Sequence, residues 1–246
     1  MVSSSDPSGR HKEGIPAGVV RSAREAYSAN GIVFACIVAR IALLSQGRFL
    51  LESTADEHTF TDQRLSILEY PWPGATTAEL FARMEHDVCT AGNSFIRKVA
   101  PSDGSDPLLV QMRPDCVTIV SEERLDDAGR IYKVPVGYAE DLVPQGISDR
   151  EPQVYGTDEV AHFSPVPLGA GSFRGETWLT SVLREVNADI ALTQYKTVHV
   201  ARGAMPGMIV KYSQKLSQTV VDRLKKRFDA LYSGPENSGK IGRAHV

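Results

Sequence analysis

The stretch Thr177-Trp-Leu-Thr-Ser-Val-Leu-Arg-Glu-Val-Asn-Ala-Asp-Ile-Ala-Leu-Thr-Gln-Tyr-Lys-Thr-Val-His-Val-Ala-Arg202 decides how the chain is read. Apolar residues recur at Leu179, Val182, Leu183, Val186, Ile190, Ala191 and Val198, a spacing that predicts a long amphipathic helix. Gly203 and Pro206 stop it. About thirty residues rising about 1.5 Å each make a rod of roughly 45 Å. In a chain of 246 residues, so long a rod has too little polypeptide around it to cover its stripe. Trp178, Leu179, Val182, Leu183, Val186 and Ile190 are therefore expected to pack against something outside their own domain.

Before the rod, the pattern alternates between helices and short strands, which predicts an α+β fold with a small, mostly antiparallel sheet. Asn30 is placed to cap a helix carrying Ile32, Val33, Ala35, Cys36, Ile37, Ala39, Ile41 and Leu44, apolar enough to be buried on most sides. Arg48 to Glu52 reads as a short strand. Thr76 with Glu79 spells a capping box, and Gly92 sits where a left-handed residue ends the helix through Leu80, Phe81, Met84, Val88 and Ala91. Strands are expected over Ser94 to Val99, Leu108 to Met112, Val117 to Val120, Ile131 to Tyr138 and Glu159 to Phe163, separated by turn signals such as Asp127-Ala-Gly129.

Beyond the rod, Met208 to Tyr212 reads as a strand, and Ser217 precedes a helix with Val220, Val221, Leu224, Phe228 and Leu231 on one face. Arg223, Lys226 and Arg227 lie beside that stripe. They read as a solvated helix face or, more sharply, as a docking patch for an acidic partner. At the other end, residues 1–17 are rich in Ser, Gly and Pro and read as a disordered arm without the apolar centre of a secretory signal.

Charge narrows the function. Twenty-seven basic against thirty acidic residues give a net charge of -3, which argues against tight, many-phosphate gripping of nucleic acid. No run approaches a membrane span, since Ile32 to Leu44 is broken by Arg40. Cys36, Cys89 and Cys116 lack metal-ligand spacing and read as buried free thiols in a reducing compartment.

Two patterns invite a chemical reading. Glu159 and His162 form a Glu-x-x-His pair, two metal ligands on one face of a helix, but Val160, Ala161 and Phe163 make a strand the better reading, and three residues apart on a strand they point to opposite faces. Gly169, Gly171 and Gly175 suggest a phosphate cradle. The dinucleotide fingerprint, however, needs glycine where Arg174 stands, and Pro165 and Pro167 break the tight turn. A flexible connector between sheet and rod is the plainer account. No nucleophile elbow, phosphate-binding P-loop or His-Glu-x-x-His occurs, and no cofactor or metal is implied. The rival function is a small α/β enzyme binding a phosphorylated ligand at Gly169 to Gly175.

Several segments taken in order resemble the portal proteins of tailed, long-tailed bacteriophages. They are Asn30 to Ile37 with Gln46 to Phe49, Leu68 to Gly74 running into Thr76 to Phe81, Ala91 to Ile96, Met112 to Val117, Asp158 to Phe163, Arg174 to Leu179, Ala201 to Met208 and Tyr232 to Gly239. The resemblance implies a wing-like α+β domain over 18–171, a stem helix over 172–203 and an incomplete clip domain over 204–240. It implies a ring, usually of twelve copies, at one capsid vertex of the virion, assembled in the host cytoplasm. Partners would be the terminase large subunit, the major capsid protein, a head-tail adaptor and double-stranded DNA passing without tight binding, with no membrane and no enzymatic activity. A different head-assembly protein would share the location but not the channel. The closing Ile241-Gly-Arg-Ala-His-Val246 reads as a translated sequencing adapter, as expected of a truncated read.

Overall fold

The structure, a computed structural model, describes residues 2–5, 10–52, 59–60, 62, 65–141, 151–169, 171–202 and 216–232. It divides into two compact units, Met1–Val186 and Asn187–Val246.

The first unit begins with strands β1 (Val2–Ser5) and β2 (Arg10–Gly14) and helices α1 (Ala17–Ala29) and α2 (Gly31–Leu44). The short β3 (Leu51–Glu52) and β4 (Thr59–Phe60) form a two-stranded ribbon ahead of α3 (Ser66–Glu69) and α4 (Thr77–Ala91). Strands β5 (Ser94–Val99), β6 (Leu108–Met112), β7 (Val117–Leu125), β8 (Ile131–Glu140), β9 (Gln153–Tyr155) and β10 (Val160–Phe163) follow, then α5 (Leu179–Arg202) and α6 (Gln218–Tyr232). The α+β reading holds, with all strand pairs antiparallel.

The single small sheet is corrected to two. One runs β1-β2-β7-β8-β9 and the other β10-β5-β6. Their inner faces share one core of Phe95, Met112, Val117, Ile119, Tyr138, Tyr155 and Val160, contributed by strands from both sheets. That shared apolar core is what joins the sheets into one unit, because each sheet must bury one face. The β7–β8 ladder slips register between Val120 and Ser121, opposite Pro135, which has no N–H to give to the ladder.

Four further expectations change. Residues 10–14, read as part of a disordered arm, form β2, paired to β7 from Arg10↔Glu122 to Glu13↔Ile119. The arm's polar composition hides two strands, β1 and β2, and the Glu13 of β2 is buried. Helix α2 is capped as expected, since Asn30 Oδ1 accepts from the N–H groups of Ile32 and Val33 at 3.0 and 3.1 Å. Only Val33 and Ile37 of it are buried, however. Cys36 is exposed as well, while Cys89 and Cys116 are buried. The Thr76 capping box does not form. The Thr76 side chain makes no cap bond, its carbonyl accepts from Glu79 and Leu80, and Glu79 pairs with Arg83 at 2.6 Å. Gly92 ends α4 with φ 71°, left-handed as expected.

Candidate functional site

The segment that hands the chain from the sheets to α5 is built around two buried side chains. Asn93, fully enclosed, grips Gly175 from both sides. Its Oδ1 accepts from Gly175 N–H at 2.9 Å, and its Nδ2 donates to the Gly175 carbonyl at 3.0 Å and to Ala91 at 2.8 Å. His162 Nε2 lies 3.0 Å from the same Oδ1, so the tautomer with the proton on Nε2 completes the set. Burial, and secondarily the Arg174 charge, push His162 down to about 4. A neutral imidazole stacked on Phe95 at 4.4 Å is the result.

Arg174 is the second keystone. Its Nε donates to the Glu13 carbonyl at 3.0 Å and an Nη to Val117, and its guanidinium lies over the Phe95 ring. Burial lowers it to about 10, opposed by the nearby Glu13 carboxylate, so it stays charged at neutral pH. Glu13 in turn accepts from Ser172 Oγ and Phe173 N–H, each at 3.1 Å. Strand β2 thus ties down the loop before the rod.

The described residues of the glycine-rich stretch are held by hydrogen bonds: Pro167 bridges Gly175 in antiparallel fashion, Leu168 N–H bonds to Arg174 and Glu176 N–H to Val166. The stretch is also a poor phosphate cradle. The N–H groups of Ser172, Phe173, Arg174 and Gly175 already go to Gly169, Glu13, Ser172 and Asn93. The anion held there is the chain's own Glu13. Glu159 and His162 are not brought together either, since Glu159 accepts from Gly156 N–H while His162 faces Asn93. His162 lies on β10 as read, but Glu159 falls in the turn before the strand.

Helix α5 starts later than the 172–203 expected of the stem. Thr177 sets the start, its Oγ1 accepting from Leu179 N–H at 3.1 Å while donating to the Cys89 carbonyl. From there the helix runs 24 residues, a rod of about 36 Å. Trp178 lies half-buried beside the Cys89 thiol. Leu179 is fully buried and Val186 is 8% exposed, while Val182, Leu183 and Ile190 are partly covered. Leu179 and Val186, expected to await outside partners, are packed within their own chain.

The single stripe also resolves into two. At about 100° per residue, Val182, Leu183, Val186 and Ile190 lie within about 60° of Leu179, and the polar Thr193 and Thr197 prolong that line. Ala188, Leu192, Tyr195 and His199 lie about 140° to 180° round from it, and Val198 about 100°. From Ala191 to Val200 every residue is exposed, including Leu192 at 49% and Tyr195 at 66%. Tyr195 stacks on His199 with ring centroids 5.9 Å apart. The residues that stand uncovered on α5 are thus largely not the six singled out from the sequence.

On α6, the Ser217 carbonyl accepts from Val220 and Val221, so Ser217 opens the helix as expected. Arg223, Lys226 and Arg227 are exposed, and Gln218, Thr219, Asp222, Arg223 and Lys226 line one open groove. The Gly203 and Pro206 stop, the strand expected at Met208 to Tyr212 and the closing hexapeptide lie outside the described residues.

The family described as "Phage portal protein" matches residues 32–242. The chain belongs to that family. No curated protein sequence matches the chain. Among solved structures, a chain from the neck of an empty gene transfer agent (GTA) particle, computed with C6 symmetry, superposes with TM-score 0.61 at 19% identity, covering 95% of this chain and 61% of that one. A chain from the virion of the native gene transfer agent particle gives TM-score 0.59 at 18% identity, with 95% and 60% covered. The native neck computed with C12 symmetry gives the same values. At such identities the likeness is one of fold. The chain spans about three fifths of the length of those chains.

Proposed function

We propose that the chain is a structural, non-enzymatic portal subunit that assembles with copies of itself into a ring at one capsid vertex, lining the channel through which DNA is packaged and ejected. The observation that carries this reading is the second stripe of α5, where Leu192 and Tyr195 stand exposed on an uninterrupted helix. Apolar residues aligned along several turns are costly in water, each about 1.5–3 kcal/mol if left uncovered. The likeness to neck chains of particles treated with sixfold and twelvefold symmetry supports a ring, and so does the family. Under this reading the wing, stem and clip divisions fall at 18–171, 172–203 and 204–240. The net charge of -3 suits a conduit that lets phosphates slide past without counterion-releasing contacts. Arg223, Lys226 and Arg227 would present a basic face to an acidic surface of the terminase large subunit or the head-tail adaptor, while the major capsid protein surrounds the wing.

To test it, residues 1–240 are joined to the remaining C-terminal part of a gene transfer agent neck chain and imaged by electron microscopy. Closed rings with a central channel are expected. Persistent monomers by mass photometry across the micromolar range would overturn the reading.

A further inference from the structure

The exposed surface of α2 is apolar and nearly free of charge. Its sequence, Gly31-Ile-Val-Phe-Ala-Cys-Ile-Val-Ala-Arg-Ile-Ala-Leu-Leu44, has one charge, Arg40, and that is turned to Glu85 of α4 at 2.6 Å. Val33 and Ile37 fill the side packed on α1 and α4. The remaining arc, about 200° wide at about 100° per residue, presents Ile32, Phe34, Ala35, Cys36, Val38, Ala39, Ala42 and Leu43 to solvent, with Ile32 69%, Phe34 49%, Val38 41% and Leu43 72% exposed. That is on the order of 500 Å², a size at which a patch on an isolated chain is usually functional. It is also most of the ~800 Å² that one partner gives to a stable interface.

A ring of more than two identical copies cannot be closed by one self-complementary patch. It needs two different surfaces that fit each other, repeated head to tail. The first unit carries a second exposed apolar feature, the end of the β7–β8 hairpin. The strands leave the core as they approach the turn, β7 passing from buried Val117–Ser121 to exposed Glu123–Leu125. Leu125 and Ile131 face each other across the ladder, each 67% exposed, with Tyr132 45% exposed beside them. The turn is rigid before any partner arrives, because Asp126 accepts from the N–H groups of Ala128 and Arg130 and from the Arg130 side chain at 2.7 to 2.9 Å. A stiff projecting tip costs little entropy on docking.

We propose that the apolar face of α2 seats the Leu125/Ile131 tip of the β7–β8 hairpin from a neighbouring copy of this chain, making the lateral contact of the ring at the level of the sheets. The proposal rests on the ring reading given above and adds which surfaces meet. The bent pair α1–α2 has the length and apolarity of a broken membrane span, but α1 exposes Arg21, Arg24 and Glu25, so a second copy fits this face better than lipid does.

The chain supplies its own probe, since Cys36 lies exposed on the face while Cys89 and Cys116 are buried. The variant Ile131→Cys is treated with a short bismaleimide at rising protein concentration and run on a denaturing gel. The expected product is a ladder of dimers, trimers and higher species, lost in Ile131→Cys/Cys36→Ser and in Ile131→Cys/Leu43→Asp, with the melting temperature of the latter within about 1 °C of the parent. Products that stop at the dimer and persist without the new cysteine show α2 meeting α2, and overturn the proposal. So do an absence of products and protection of Cys36 that appears only when phosphatidylcholine vesicles are added. Rings from the fused chain without a ladder would sink this contact and leave the channel reading standing. A ladder without rings would do the reverse.

Discussion

Helix α5 begins in one environment and ends in another. Its first two turns grow out of a junction in which Asn93, Arg174, Glu13 and Thr177 find hydrogen-bond partners in their own chain, and in which Leu179 is fully enclosed. From Ala191 to Val200 nothing among the described residues covers it, although Leu192, Tyr195 and Val198 are as apolar as what is buried earlier. The contrast separates two jobs that a helical stripe can do. Residues near the junction anchor the start of the helix in the first unit, and residues farther out stand exposed. A substitution at one end should change stability without touching assembly contacts, and at the other the reverse.

The junction should give the largest losses. Asn93→Ala removes the partners of the Gly175 N–H and carbonyl and of His162 Nε2 in a site closed to water. Stranding that many buried groups costs about 4 kcal/mol, or roughly 8–16 °C of melting temperature for a unit of this size, read by calorimetry. A drop of only a degree or two would mean that water enters and that the junction is not dry. Gly175→Ala should be comparably harmful, since a Cβ there would stand 2.4 Å from the Gly92 carbonyl and 2.2 Å from Ser164 Oγ. Next comes the direct pair on α5. Leu179→Ala should cost about 2–5 kcal/mol as a core truncation, whereas Leu192→Ala should fall within about 0.5 kcal/mol of the parent in urea titrations. Equal effects would erase the division drawn between the two ends.

How far the sequence reaches follows the same line. Signals written in one residue's own chemistry were legible: the Asn30 cap, the left-handed Gly92 and the β5 and β6 strands. What it could not show depended on distant partners. The Thr76 and Glu79 pattern is a capping box in sequence, yet Arg83 takes the carboxylate. Glu13 looks like a polar residue in a loose arm until Ser172 and Phe173, about 160 residues on, give it hydrogen bonds. Helix α1 is faint in the sequence because its buried line is only Val20, Ala23 and Ala26, although Pro16 followed by that spacing is a usable signal. The split of the α5 stripe was readable from the start, since Thr193 and Thr197 interrupt the Leu179 line where a continuous stripe would need apolar residues.

The junction also makes a pH signature that sharpens the comparison. His162 sits at about 4 in the folded chain against an ordinary 6.5, so the stability it gives is complete above about 6.5 and is lost as pH falls toward 4. Asp87, buried beside Gln111 and with Arg24 and Asp115 acting on it, is pushed up to about 7 from 3.8. Its sign is opposite: stability is lost as pH rises from 3.8 to 7, because the folded chain keeps a proton that the unfolded chain gives up. Between about 4 and 6.5 the two slopes oppose each other, each pKa unit being worth about 1.36 kcal/mol. Asp87→Asn removes one of them. Its stability should therefore fall more steeply than the parent's between pH 7 and 4, by up to about 3 kcal/mol in the difference between the curves, and adding His162→Gln should flatten that difference. Parallel curves for Asp87→Asn and the parent would show that Asp87 is not the opposing group.

The smallest expected effect on folding carries the most weight for function. Leu192→Ser with Tyr195→Ser replaces two residues that are 49% and 66% exposed and touch no buried core, so thermal unfolding of the isolated chain should move by no more than about 0.5 kcal/mol per site. In the ring, those positions lose apolar cover worth about 1.5–3 kcal/mol each in every copy, and the loss is repeated around the circle. Mass photometry of the fused chain should then show rings replaced by small species at a concentration where the parent is assembled. If the doubly substituted chain closes rings at the parent's concentration, the outer half of α5 is not what neighbouring copies hold. The exposed α2 face would then have to close the ring without it.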